Sequence, residues 1–494
     1  MTSLRNIAVI DIGKTNAKVA VVDIARRQEL GVRRRPNLVL TDGPYPHFDV
    51  EGLWSFFLES LKELAAEHRI DGISVTTHGA SAVLLDASGK LATPVLDYEF
   101  TGPDDLASQY DALRPGFAQT GSPRLPMGLN LGAQLHWLLE TQEGLRERTA
   151  QVLTYPQYWT WRLTGVAACE VTSLGCHTDL WNPFEGVFSP LVSRLGLEGR
   201  MAPVRKAGDV LGPLLPDVAE RAGLPEGIPV ACGIHDSNAS LYPHLLARQG
   251  AFSVVSTGTW VISLSVGGGH VTLDPARDTL ANVNALGGAV PSARFMGGRE
   301  FDLMMEGHER ASTDAGVLQV LDRSILLLPA VEPRSGPFQG RVHRWSVDEA
   351  SLSVGQRYAA VSFYLALVTA ECLAMTGGEG PVIVEGPFAA NRLYLSMLEA
   401  ATARKVHVGD GSVTGTSIGA ALLLAGDEGR DGEGTAQDEA AAVIPGDGLA
   451  AYAAAWRRAV AEARPFSPPP PRGRAIAYGG NLFRLRKDRT LSPR

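Results

Sequence analysis

Two stretches of this chain, one in each half, share an order of parts that restricts the folds open to it. Each has a β-rich apolar run, a short turn of glycine and polar residues, and a second β-rich run. In the first, residues 7–10 lead into Asp11-Ile12-Gly13-Lys14-Thr15-Asn16 and on to residues 17–22. In the second, residues 251–255 lead into Ser256-Thr257-Gly258-Thr259 and on to residues 260–266. Each reads as a hairpin with a polar tip. Hairpins are common, so the recurrence has two readings. It is coincidence, or it marks a duplicated fold in which each half offers one phosphate-holding turn.

The surroundings favour an α/β class. Residues 51–68 carry a helical pattern, and residues 72–76 form a short strand ending in Thr77-His78-Gly79. Strands alternating with helices indicate an α/β domain. In the second half, 358–375 is helical, 382–385 is a strand running into Gly386-Pro387, 391–402 is helical, and 414–424 opens a Gly/Ala-rich helix. A chain of 494 residues is too long for one ordinary core. Two domains are expected, over 1–245 and 246–464, with the boundary inside 241–249. Residues 426–442, rich in Gly, Ala, Asp and Glu, read as an exposed loop, and the Pro/Arg-rich 465–494 as an extended tail.

A net charge of -8 argues against a nucleic-acid partner. No run reads as long and apolar enough to cross a bilayer, and the N-terminus has no leader-type apolar region with a small-residue cleavage site. Cys169, Cys176, Cys232 and Cys372 show no C-x-x-C spacing. That fits neither a zinc site nor a disulfide framework and suits the reducing cytoplasm. Oligomeric state is left open, a homodimer included.

Several segments carry chemistry. The turn holding Asp11, Gly13, Lys14, Thr15 and Asn16, with Lys18 just beyond it, gathers backbone N–H groups, hydroxyl and amide donors and positive charge. Gly13 permits close approach, and Asp11 can hold a metal ion through water. These are the parts that an ATP phosphate tail with Mg²⁺ needs. Ser256, Thr257, Gly258 and Thr259 offer hydroxyls and amides to a β- or γ-phosphate. Both turns can also be plain hairpin tips. Gly233-Ile234-His235-Asp236-Ser237-Asn238-Ala239 follows an apolar run at 228–232 and precedes a helical pattern. A carboxylate at that junction can take a proton from a hydroxyl attacking phosphorus, or it can cap the helix. His235 reads as a buried structural histidine. Small residues from Glu385 to Asn391, and from Thr416 to Ala421, leave room for adenine and ribose. Close helix packing explains the latter stretch equally well.

In this order and spacing the segments resemble the FGGY family of carbohydrate kinases, members of the actin/hexokinase superfamily of ATPases. The resemblance runs from Ile7 to about Leu424 and includes YPQYWTWRLTG at 155–165. It implies two actin-like (ribonuclease H-like) α/β domains with an ATP cleft between them, and ATP and Mg²⁺ as reaction partners of a small sugar. It implies Asp236 as catalytic base, Asp11 at the metal, and Gly13, Lys14, Thr15, Asn16, Lys18, Ser256, Thr257, Gly258, Thr259, Gly386 and Asn391 around the nucleotide. The sugar would lie near His78, Gly79, Asp97 and Glu99, with Arg299 reaching in from the second domain and Met127 and Leu129 near an apolar wall. Leu129 also fits as plain core. Departures are Glu385-Gly386-Pro387 where the family has Gly-Gly-Gly, and Gln157 where it has Asp before Tyr158. Thr77-His78-Gly79-Ala80-Ser81 matches no one subgroup. The segments at Asp236 and Ser256 look most similar to rhamnulokinase- and fuculokinase-like members, which implies a 6-deoxy-ketohexose, L-rhamnulose or L-fuculose. A pentulose or polyol kinase is the alternative. A non-catalytic sugar sensor and a chaperone-type ATPase are the competing classes.

Overall fold

The computed structural model describes residues 4–409, 415–425, 439–440 and 448–463. The chain opens as an antiparallel meander of β1 (Asn6–Ile12), β2 (Asn16–Asp23) and β3 (Gln28–Pro36). Helix α1 (Val50–Glu67) starts at Asp49, whose carboxylate accepts from the Gly52 N–H and satisfies one orphan donor. Then come β4 (Gly72–Thr77), α2 (Tyr155–Thr164), α3 (Val171–Leu174), β5 (Val210–Pro213), β6 (Pro229–Ala231), β7 (Ile234–His235) and α4 (Asp236–Ala247). The second half brings β8 (Phe252–Thr257), β9 (Val261–Val266), β10 (Thr279–Val283), β11 (Ala289–Phe295), α5 (Gly297–Met304) and α6 (Val354–Met375). It ends with β12 (Val382–Glu385), α7 (Arg392–Thr402), β13 (Val406–Val408), α8 (Gly415–Leu422), β14 (Glu439–Ala440) and α9 (Gly448–Glu462).

The first sheet runs β5-β6-β4-β1-β2-β3, with β7 also paired to β4; the second runs β10-β11-β9-β8-β12-β13-β14. They repeat one plan. The hairpin β1–β2 corresponds to β8–β9, and the first strand of each pairs in parallel with β4 or β12. Beyond these lie a further parallel strand, β6 or β13, and an antiparallel strand, β5 or β14. Duplication therefore accounts for the two hairpins, and the architecture is a pair of actin-like α/β domains.

Strands buried on both faces read as continuous apolar runs. In β1, Ala8, Ile10 and Ile12 face α1, packing with Leu53, Phe57 and Leu61. Ile7 and Val9 face the other way, where Ile418, Ala420, Ala421 and Leu422 of α8 cover them. A helix from late in the chain thus closes the first sheet. Helix α4 lies between the halves: Ala239, Tyr242 and Leu246 join the α8 cluster, while Leu241 and Leu245 pack with Phe252, Val254 and Ile383 of the second sheet.

This packing corrects the expectation for 416–421. A Cβ on Gly419 would lie 1.8 Å from the Ala239 carbonyl oxygen, and Ser240 Oγ meets Thr416 Oγ1 at 2.9 Å. The small residues bring α4 and α8 together, and helix packing explains them without an adenine. The segment 241–249 is mostly the second half of α4 rather than a loose linker. Helix α6 differs from expectation too: it is apolar enough over 22 residues to cross a membrane by length and composition. Here it forms the centre of the second core, with Val361, Phe363, Leu365 and Leu367 enclosed, as a helix apolar all round must be in a large domain. The expected loop at 426–442 lies outside the described residues except for β14, and so does the tail.

Gly419→Val should lower stability by about 2–3 kcal/mol, the cost of overpacking against backbone that cannot yield. Urea unfolding of the full chain checks this; an unchanged midpoint would mean that α4 and α8 do not touch as described.

Candidate active site

The site is built from three adjacent strand ends. Strand β4 pairs with β1 so that Asp11 lies opposite Thr76 and Ile12 opposite Thr77. On its other side it pairs with β7, placing His235 opposite Thr77. Chain leaving these strands at one level carries the phosphate-type turn, His78 and Asp236. The elbow before Asp236 requires glycine: Gly233 has φ +90°, and a Cβ there would lie 2.7 Å from the Val75 carbonyl.

Side chains that the sequence reading missed hold this elbow. Gln157 Nε2 donates to the carbonyls of Cys232 at 2.8 Å and Gly233 at 3.2 Å. Buried Glu170 accepts from the N–H and O–H of both Thr172 and Ser173 at 2.6–3.3 Å. Burial pushes the Glu170 carboxyl up to about 7. Thr172 Oγ1 in turn accepts from the His235 N–H at 3.0 Å. The Glu-x-Thr-Ser run of 170–173 is a helix-start pattern that could have flagged α3.

Asp236 does not cap α4. His235 occupies the cap position, and the Asp236 carboxylate accepts from its neighbour Ser237, from N–H at 2.6 Å and Oγ at 3.3 Å. A third of its side chain, 34%, stays open to the cleft. Burial raises its pKa above the usual carboxylate value. His235 is buried, as expected. Asn238 Nδ2 lies 3.3 Å from its Nδ1, which assigns the proton to Nε2, 3.2 Å from Asp236 Oδ1. Burial brings His235 down to about 4, so the ring is neutral at pH 7.

His78 faces the same space. Its Nδ1 donates to the Gly79 carbonyl at 2.8 Å, leaving Nε2 as a buried acceptor with no partner among the described residues. Burial holds its pKa down at about 4. The ring packs against Phe48, Tyr155 and Tyr98 at 5.0, 5.1 and 5.2 Å. Gly79 leaves just enough room for His235 and Cys176, whose atoms a Cβ would approach to 2.8 and 3.3 Å. Leu129 is half-buried rather than core, and its carbonyl accepts from His177 Nδ1 at 2.6 Å. Ala80, Met127 and His177 all hold positive φ, 56°, 58° and 41°. Such strain persists where surrounding structure imposes it, often at functional sites.

Four expectations are revised here. Lys14, read as a phosphate ligand, directs its ammonium to Asp97 Oδ1, with Glu99 Oε2 at 3.3 Å. It therefore stands with the expected sugar residues. Thr257 Oγ1 donates to the Glu385 carbonyl at 2.5 Å and accepts from Phe388 N–H at 3.0 Å, so this hydroxyl clamps a turn. Asn391 caps α7, accepting from Leu393 and Tyr394 N–H and donating to Ser362 Oγ. Arg299 pairs with Glu332 in its own half at 3.3 Å. Arg294 on β11, 3.5 Å from Asp278 of its own half, lines a 270 Å³ cavity with Cys176, His177 and His235 of the first half.

The other residues expected at the nucleotide differ in how open they are. Asn37 fixes the first turn, donating to Gly13 O through Nδ2 and to Thr15 O through N–H, both at 2.9 Å; Thr15 and Asn16 are exposed. Lys18 bonds Glu29 at 3.0 Å and sits 3.4 Å from Asp11. Burial raises the Asp11 pKa, Lys18 draws it down, and Asp236 pushes it up. Mg²⁺ favours one or two carboxylates plus substrate phosphates, and Asp11, with the charge of Asp236 near enough to raise its pKa, fits that donor set. In the second half, Gly258, Thr259, Gly298, Tyr358, Phe388 and Asn391 line a 450 Å³ cleft. Gly386, at φ +80°, keeps the turn under it close: a Cβ would lie 2.0 Å from the Thr257 carbonyl. The departure at Glu385 has a structural account. Its carboxylate meets His244 Nε2 of α4 at 2.7 Å and points away from that cleft.

Comparisons with known proteins agree with this layout. Residues 6–242 match the FGGY family of carbohydrate kinases, N-terminal domain, and residues 249–432 match carbohydrate kinase FGGY, C-terminal domain. An L-fuculokinase of Salmonella typhi is 30% identical over 54% of this chain and 57% of its own length. A probable L-xylulose kinase of Pasteurella multocida is 28% identical over 51% of this chain and 54% of its own. The chain thus spans little more than half the length of these relatives. The crystal structure of a carbohydrate kinase from Novosphingobium aromaticivorans superposes with a TM-score of 0.83 at 37% identity, over 92% of this chain and 100% of that one. A xylulose kinase from Lactobacillus acidophilus shares the fold, with a TM-score of 0.73 at 15% identity over 93% and 97% of the two chains. With two domain matches in sequence order and a full-length structural relative, the chain belongs to the FGGY family of carbohydrate kinases.

Proposed function

We propose that this chain is an ATP-dependent kinase of a small sugar, working in the cytoplasm on a ketose, with a 6-deoxy-ketohexose such as L-fuculose or L-rhamnulose as its best substrate. The observation that carries the reading is Asp236: a raised-pKa carboxylate, partly open to the cleft, at a strand end beside His78 and its neutral acceptor, with the phosphate-type turn on the far side of His78. Asp236 orients the acceptor hydroxyl and takes its proton as the oxygen attacks the γ-phosphorus of ATP. The phosphorus–oxygen bond to ADP breaks as the new ester bond forms. The turns at Gly13 and Gly258 hold the phosphates, and positioning with charge stabilisation supplies most of the acceleration. Asp11, with Asp236 nearby, would hold Mg²⁺, which neutralises phosphate charge when bound. The aromatic rings around His78 support a substrate with an apolar end, and the L-fuculokinase relative points the same way. Four unpaired cysteines support a reducing compartment.

Asp236→Asn should lower kcat by about 10²- to 10⁴-fold with ATP affinity nearly unchanged. The wild-type kcat/KM for sugar should fall on the acid side with a midpoint above the ordinary carboxylate value of about 4, because the raised pKa keeps the base protonated to higher pH. Steady-state ADP release across pH reads both; near-normal turnover of the variant would remove Asp236 from the chemistry.

Gly258→Val tests the second turn. A Cβ there meets only the Trp260 carbonyl, at 3.8 Å, so the fold accommodates it and the obstruction falls on the phosphate. The apparent KM for ATP should rise by more than that for sugar. Equal or absent effects would leave 256–259 a plain turn.

A panel of L-fuculose, L-rhamnulose, L-xylulose, D-xylulose, D-ribulose and glycerol decides the substrate. One methyl is worth only about 1–3 kcal/mol of discrimination, so pentuloses should retain some activity. A pentulose or polyol preferred by tenfold or more would overturn the substrate and leave the kinase reading standing.

A further inference from the structure

Lys14 belongs by backbone to one ligand and by side chain to another. Its peptide lies in the turn between β1 and β2, next to Gly13, where the nucleotide phosphates are expected. Its ammonium leaves that turn, bonds Asp97 Oδ1, and stands 3.3 Å from Glu99 Oε2. It lies over the rings of Tyr98 and Phe48, 5.0 and 5.3 Å from their centroids. These are two of the rings that hold His78. Lys14 and His78 therefore flank one aromatic wall, and only Glu99 of the three charged groups is largely exposed, at 57%.

We propose that Lys14 is a specificity-determining residue for the sugar, closing with Asp97 and Glu99 a clamp that selects an uncharged polyhydroxy substrate. The inference rests on the kinase reading and deepens it. An ammonium offers three donors, and one is committed to Asp97. Two carboxylates offer acceptors beyond those used by Lys14 and by the Glu99 N–H, which donates to Asp97 Oδ1 at 3.2 Å. Neighbouring hydroxyls, each both donor and acceptor, match this alternation. A sugar acid does not, because one cation against two carboxylates leaves the clamp net negative. Since Lys14 is anchored in the phosphate turn, the clamp also sets the height of the bound hydroxyls relative to the phosphates.

The test uses the full chain and whichever neutral sugar the wild type turns over fastest. Lys14→Met keeps an apolar stem against Phe48 and Tyr98 and strands Asp97 without its cation. The KM for sugar should rise by about tenfold or more, as for other mostly buried charge pairs left with one partner, while the apparent KM for ATP moves less than about threefold. Asp97→Asn should also raise the sugar KM, and the double variant should fall short of the product of the two single effects, as coupled residues do. D-gluconate, a poor wild-type substrate on this account, should gain on the neutral sugar by about tenfold in Asp97→Asn. A loss confined to ATP, equal losses in both constants, or full additivity in the cycle would overturn the proposal. If Lys14→Met fails to fold by circular dichroism, an unchanged sugar KM and unchanged gluconate ratio in Asp97→Asn overturn it alone. A wild type that turns over no sugar of the panel would sink the kinase reading and this inference together; active wild type with an unaffected Lys14→Met sinks this inference only.

Discussion

Parallel pairing of β4 with β1 on one flank and β7 on the other sets where everything else in the site can be. Backbone register leaves His78 and Asp236 level on neighbouring strand ends, with the turn after Ile12 beside them and Asp11 two residues further down β1. A slip of one residue would turn every side chain to the opposite face of the sheet. The braces around this ladder follow from that sensitivity. Gly233 lets β6 pass into β7 against the Val75 carbonyl, and Gln157 and Thr172, the latter held by Glu170, satisfy polar groups that the bend would orphan. An unpaired polar group there would cost about 1–3 kcal/mol, so the elbow is held by its own unmet needs.

The two halves repeat a backbone plan but divide the chemistry. The first hairpin carries charge, in Asp11, Lys14 and Lys18, and looks onto carboxylates and imidazoles. The second carries hydroxyls and glycines, and Thr257 spends its hydroxyl on its own neighbourhood. Each half also uses its parallel strand end differently. After β4 comes His78, with an open acceptor; β12 ends in Glu385, tied to His244 of the helix between the halves. The geometry is repeated and the residues at the equivalent strand ends differ, an open imidazole acceptor in one half and a hydrogen-bonded carboxylate in the other.

Much of this was legible in the sequence. The strands of both hairpins, α1, α6 and the junction at Asp236 are local features, written in apolar runs and turn residues over a dozen positions or fewer at a time. Contacts over long sequence separation were not legible. Lys14 meets Asp97 across 83 positions, Gln157 meets Cys232 across 75, and His244 meets Glu385 across 141. Nothing in local spacing tells a lysine in a phosphate-type turn which way its four-carbon stem will run. Asn391 and Thr257 were assigned to ligand for a related reason. Their residue types suit a phosphate or an adenosine as well as a helix cap or a turn clamp, and only the fold shows that the protein's own N–H groups reach them first. Small residues at 416–421 were ambiguous in the same way until Ala239 appeared opposite Gly419.

Helix α8 carries one more implication, for the order in which the molecule can be made. The face of β1 bearing Ile7 and Val9 is covered by residues 418–425. During synthesis the first sheet therefore lacks this part of its cover while some 180 further residues emerge, for roughly 10–40 seconds at ordinary elongation rates. Over that interval the ribosome-bound chain holds an apolar surface that α4 covers only in part, of the kind that chaperones retain. The gene cannot be divided at the middle of the protein without making that pause permanent.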